Sequence, residues 1–131
     1  MKASNIGLWV ATAALGWVAW MLMDVSAPQK SGGDSSATLA AAQASGTPVL
    51  VEFYADWCGA CKMIAPEVEE LSTELAGKAR VLRLNVETQP DVAAQYRVHV
   101  LPTFIAFEKG NVIARQTGAI PKAAMQKMLG F

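Results

Sequence analysis

The stretch VEFYADWCGACKMIAP, residues 51–66, joins a short apolar run to a helical pattern through two cysteines. Val49 to Tyr54 is apolar except at Glu52 and has the length and composition of a buried strand. From Gly59 to Ala76, Ile64, Val68, Leu71 and Leu75 recur at three- and four-residue spacings, while Glu67, Glu69, Glu70 and Glu74 fill much of the remainder. One stripe of a helix is therefore expected against a sheet, and Pro66, which lacks a backbone donor, is expected to kink that helix.

The cysteines sit where strand gives way to helix, and they are the only two in the chain. A helix N-terminus offers unpaired N–H groups and partial positive charge, which stabilise a thiolate and lower the pKa of the first cysteine. Cys58 is thus the candidate nucleophile. Cys61, one turn further in, is placed to attack the resulting mixed disulfide and release the partner as a thiol. Glu52 falls in the middle of the strand, where burial disfavours ionisation and raises its pKa, so it is a candidate proton carrier. Trp57 is expected beside the dithiol, shaping the surface of approach or covering it. Lys62 reads as a solvated helix lysine, and His99, the only histidine, as an exposed loop residue without a role.

Outward from this centre the pattern after Pro48 is strand, helix, strand, helix, strand, strand, helix. Val81 to Val86 reads as a strand and Pro90 to Tyr96 as a short helix. Thr103 to Phe107 and Val112 to Gln116 flank the turn Glu108-Lys109-Gly110-Asn111 as a hairpin. Pro121 to Leu129 closes the chain as a helix with Ala124, Met125 and Met128 facing inward. This order predicts an α/β domain over residues 48–131. Residues 25–47 shift to Ser, Gly, Ala and Pro, a flexible linker with a short helix at Ser36 to Ala44.

At the start, Ile6 to Met23 is an eighteen-residue run with no charge and Thr12 as its one hydroxyl side chain. As a helix it would extend roughly 27 Å, close to the ~30 Å hydrocarbon core, so residues 1–24 read as a transmembrane anchor. Trp17 and Trp20 near one end and Lys2 before the run place the remainder on the outer face. The competing reading is a cleaved signal peptide ending near Ser26-Ala27, with Pro28 against it. Eleven basic and eleven acidic side chains cancel, so nothing in the overall charge points to nucleic acid.

The quoted stretch closely resembles the thioredoxin signature around WCGPCKMIAP, and the resemblance continues through most of residues 48–131. YRVHVLPTF is similar to the thioredoxin segment ending in a cis-proline, and FEKGNVIARQTGAI to the final hairpin. The resemblance implies a thioredoxin-like fold, a central mixed sheet of about four strands flanked by helices. It implies that Pro102 is cis and that Leu101 pairs its backbone with an extended substrate strand beside the dithiol. It also implies that Glu52, where the family usually carries Asp, deprotonates Cys61 through water. Arg83 matches the family's lysine near that acid, and an ion pair between Arg83 and Glu52 is the structural alternative. No cofactor beyond the Cys58–Cys61 pair is implied.

Gly59-Ala60 resembles the Gly-Pro of reducing thioredoxins more than the His-containing pairs of oxidases and isomerases, so reduction is the expected direction, with oxidase or isomerase as the alternative. Outside the cytoplasm a reductase needs imported electrons. Tethered thioredoxin-like proteins of bacteria receive them from a membrane electron-transfer protein and reduce exported clients, including apocytochrome c; this layout resembles theirs. From a different class, Cys58, Cys61 and Met63 would suit a tethered carrier of a soft ion such as Cu(I). Structural zinc is excluded by ligand count, one CxxC pair and one distant histidine falling short of four.

Overall fold

The computed structural model describes residues 36–131. The Ile6–Met23 span and the first part of the linker lie outside the described residues. Among the described residues no helix is long and apolar enough to cross a membrane.

In chain order the elements are α1 (Ser36–Ala44), β1 (Val49–Tyr54), α2 (Gly59–Glu74), β2 (Arg80–Asn85), α3 (Pro90–Gln95), β3 (Thr103–Glu108), β4 (Asn111–Thr117) and α4 (Lys122–Met128). The four strands form one sheet in the order β2-β1-β3-β4, β1 and β2 parallel and the other pairs antiparallel. This is the mixed four-stranded sheet flanked by helices that the sequence predicts. The parallel pair requires a crossover, and α2 supplies it.

Both faces of the sheet are covered, which is why β1 and β3 are apolar almost without alternation. On one face Leu50, Phe104 and Ala106 pack with Val68 and Leu71 of α2 and Met125 of α4. On the other, Val51, Phe53, Ile105 and Phe107 pack with Leu39 of α1 and Ala93 of α3. A nine-residue helix is marginal alone, so α1 depends on that contact; burying Leu39 contributes about 1.5–3 kcal/mol. α2 continues as a single helix through Pro66.

Element ends differ from the sequence reading by one or two residues. β2 begins at Arg80 because its N–H donates to Pro48 O and its Cα pairs with Val49, a backbone tie that needs no apolar side chain. The last helix corrects one expectation. Met125, Met128 and Leu129 are buried, whereas Ala124 is only partly so, because the helix starts at Lys122 and turns its longer side chains to the sheet.

β4 is the exposed edge. A bulge between Ala106 and Phe107 of its partner strand leaves Ile113 as the extra residue, half-exposed beside Val112.

Candidate active site

The site gathers at the C-terminal end of β1, where the chain passes through Ala55, Asp56 and Trp57 into α2. Cys58 is the N-cap of α2, extended at φ −77° and ψ 105°. Its sulfur accepts a hydrogen bond from Cys61 N–H at 3.2 Å, the role a serine or aspartate oxygen plays at other helix starts. Cys58 and Cys61 are joined as a disulfide with Cα atoms 5.3 Å apart. Both are largely enclosed, yet unequally: Cys58 keeps 5% of its surface and Cys61 1%. Any partner therefore meets Cys58 first.

Tyr54, Ala60, Val86 and Leu101 pack around this pair. Leu101 arrives from the other side of the sequence, on the loop between α3 and β3, and the Leu101–Pro102 peptide is cis. Pro102 itself is buried. Trp57 stands largely exposed next to Cys58, and its indole N–H donates to Glu87 Oε1 at 3.1 Å. Exposed Met63 and Val100 add apolar surface on α2 and the loop. Gly59 is exposed, with open space where a Cβ would stand, whereas Ala60 packs against the cysteine cluster.

Glu52 is wholly buried on β1, in the row of Leu50 that faces α2. Removal from water raises its pKa above the ordinary carboxylate value; the Arg83 hydrogen bond and charge oppose that shift, and the Glu69 charge adds to it. Arg83 Nε donates to Glu52 Oε2 at 2.6 Å, so the ion pair foreseen as the structural alternative is present. The guanidinium carbon also lies over the Tyr54 ring, 4.4 Å from its centre, a cation–π contact that helps to hold Arg83 in place. Oε1 of Glu52 accepts no hydrogen bond among the described residues. The carboxyl is thus divided into one pinned oxygen and one available oxygen.

Of the residues singled out in the sequence, Leu101 and Ala60 join the cysteines in one cluster, Trp57 and Gly59 flank them in the chain, Pro102 follows Leu101, and Glu52 with Arg83 lies on the adjoining strands. Lys62 and His99 are exposed. Sequence reasoning missed Tyr54 as the platform for Arg83 and Glu87 as the partner of Trp57. For Tyr54 the alternation along β1 was the available signal, since it shares the row of Glu52. Among the described residues no three His, Cys, Asp or Glu side chains group as metal ligands.

The sequence profile of thioredoxin matches residues 36–130. The chain belongs to the thioredoxin family. It is 42% identical to a Haemophilus influenzae thioredoxin over 82 residues, 63% of this chain and 77% of that one. It is 46% identical to a Mycobacterium bovis thioredoxin over 85 residues, 65% of this chain and 73% of that one. A mutant thioredoxin from Halobacterium salinarum superposes with a TM-score of 0.68 at 29% identity, covering 74% of this chain and 84% of that one. As a thioredoxin-family member with this dithiol, the chain is a thiol-disulfide oxidoreductase working through Cys58 and Cys61.

Proposed function

We propose that this thioredoxin reduces disulfides in exported client proteins while an N-terminal helix over Ile6–Met23 holds it at the outer face of a bacterial inner membrane. The observation that carries the catalytic part is the placement of Cys58, whose sulfur accepts the Cys61 N–H in the first turn of α2 and is the more exposed of the pair. The apolar run, the preceding Lys2 and the following Asp24 support the membrane part.

In the reduced enzyme the Cys58 thiolate attacks one sulfur of a client disulfide. A Cys58–client bond forms, and the other client sulfur leaves as a thiolate. Cys61 then gives its proton through water to the available Oε1 of Glu52 and attacks Cys58 Sγ. The Cys58–Cys61 bond forms, the second client sulfur leaves, and two electrons have passed to the client. Arg83, held over the Tyr54 ring, keeps the other Glu52 oxygen occupied. Leu101 offers backbone to an extended client strand, Pro102 sets the direction of that loop, and Trp57 with Gly59 and Ala60 shapes the floor of approach. The Gly59-Ala60 spacer supports the reducing direction. Electrons return from a membrane electron-transfer protein to the Cys58–Cys61 disulfide, and apocytochrome c awaiting haem is one client class that fits this setting.

The experiment is trapping in the cell with Cys61→Ser, which stops after the first bond. Mixed disulfides with exported proteins, recovered in the membrane fraction, are expected. Capture of cytosolic proteins alone, or recovery of the whole chain in the soluble fraction, would overturn the location. A midpoint potential near about −120 mV rather than toward about −270 mV would overturn the direction.

A further inference from the structure

Arg115, on the edge strand β4, takes no part in the chemistry described above, yet its guanidinium makes two short hydrogen bonds to main chain. Nη1 donates to Tyr96 O at 2.6 Å and Nη2 to Arg97 O at 2.8 Å. These carbonyls close the C-terminal end of α3, which carries no basic residue in its own last turn. The positive charge that favours such an end is therefore supplied from another strand. At this point the chain also changes direction. Arg97 adopts φ 51°, a left-handed conformation uncommon for a residue with a side chain, and Val98 N–H turns back to Ala93 O at 2.9 Å.

Arg97 begins the loop that ends at Leu101 and Pro102. The far end of that loop is fixed to the residue that follows β4, since Gly118 N–H donates to Pro102 O at 2.8 Å. Between the two ties, Thr103 Oγ1 donates to Val100 O at 2.5 Å and Leu101 lies against the cysteine cluster. The loop therefore hangs between Arg115 on β4 and Gly118 just after it, three residues apart in the chain. Tyr96, whose carbonyl Arg115 holds, is itself seated between the rings of Phe53 and Phe107. A fork able to hold two carbonyls at once is a property of guanidinium that a single ammonium lacks.

We infer that Arg115 is a positioning residue for client binding: by holding the Tyr96 and Arg97 carbonyls it fixes the start of the loop whose Leu101 backbone receives the client strand. The inference rests on the proposed role of Leu101. A client that pairs with loop backbone feels a displaced loop, whereas a small disulfide that needs only Cys58 does not.

The test compares insulin, a protein disulfide, with the small disulfide 5,5′-dithiobis(2-nitrobenzoate). Arg115→Ala is expected to raise KM for insulin about tenfold, the size of effect a sub-ångström misplacement produces, with kcat little changed. Its rate with the small disulfide and its midpoint potential should match wild type. Arg115→Lys, which folds with a charge at the same place, is expected to fall between the two. Leu101→Gly, which loosens the loop residue itself, should also raise KM for insulin. Equal losses on both substrates, or an unchanged insulin KM in Arg115→Ala while Leu101→Gly raises it, would overturn the role of Arg115 alone. An unchanged insulin KM in Leu101→Gly would overturn the client-binding loop and Arg115 with it.

Discussion

The two ends of α2 are built on opposite principles. At the first turn, sulfur caps the helix, the neighbours are apolar, and among the described residues no ion pair ties the turn to another element. Toward the last turns, Glu67, Glu70 and Glu74 reach across to α4. Glu67 Oε2 accepts Lys122 N–H at 2.7 Å, and Lys122 Nζ donates to Glu70 at 2.8 Å and to Glu74 at 2.6 Å. Gln126 completes the contact with Glu74. Fastening is kept away from the end that must exchange bonds, and reactivity away from the end that must hold still. Glu52 lies between these extremes, buried beneath the helix and pinned on one side only.

The largest effect that tests this division falls at the first turn. Cys58→Ser is expected to reduce insulin turnover to the rate of dithiothreitol alone, while Cys61→Ser loses turnover but retains the first step and accumulates mixed disulfide on a non-reducing gel. If both variants behaved alike, the two cysteines would not have separate roles. Neither change should loosen the acidic end, because the contacts between α2 and α4 described there involve neither cysteine.

Next comes Glu52→Gln, with opposite effects on rate and stability. Resolution should slow by about tenfold or more, as for loss of a general base, seen as a longer-lived mixed disulfide in rapid-quench experiments. Stability should rise. Burial holds the Glu52 carboxyl above its ordinary 4.5, so the unfolded chain loses this proton first as pH increases. The cost of Glu52 is absent below 4.5 and grows as pH rises toward the folded value. Thermal unfolding should show a higher Tm for Glu52→Gln than for wild type at pH 7 and almost no difference at pH 4.

At the fastened end the effects are smaller and confined to stability. Glu67→Ala removes the side chain that takes the first N–H of α4 and should cost about 1 kcal/mol, as loss of a helix cap does, with insulin turnover unchanged. Lys122→Ala keeps that backbone bond and loses only exposed ion pairs, so its Tm should fall less than that of Glu67→Ala and respond weakly to salt. A larger loss from Lys122→Ala would show that the surface charges carry the contact.

Much of this was legible in the residues because the deciding signals are local. Short apolar runs bounded by Pro, Gly and charge marked the strands, and the cysteine spacing at a helix start marked the site. What escaped depends on distance in sequence. Trp57 meets Glu87 across 30 positions and Arg115 meets Tyr96 across 19, and nothing near any of these residues announces the pairing. α1 was readable as a helix that could support a core of this size, but not which of its residues would do so, since a run of alanines presents no stripe. Its contribution comes from Leu39 and Ala42 against strands that follow later. On α4, Met125 and Met128 face inward as the sequence indicated, while Ala124, expected with them, is only partly buried and Leu129 joins the core.

The central claim is that α2 makes a thiolate of Cys58 in particular. The direct measurement is the pH dependence of alkylation of the reduced protein, each cysteine followed separately by peptide mass. Cys58 should react first, with an apparent pKa at least about one unit below the ordinary 8.5 of a free cysteine, and Cys61 should react at higher pH. Prior labelling of Cys61, or a Cys58 titration at about 8.5 or above, would contradict the account.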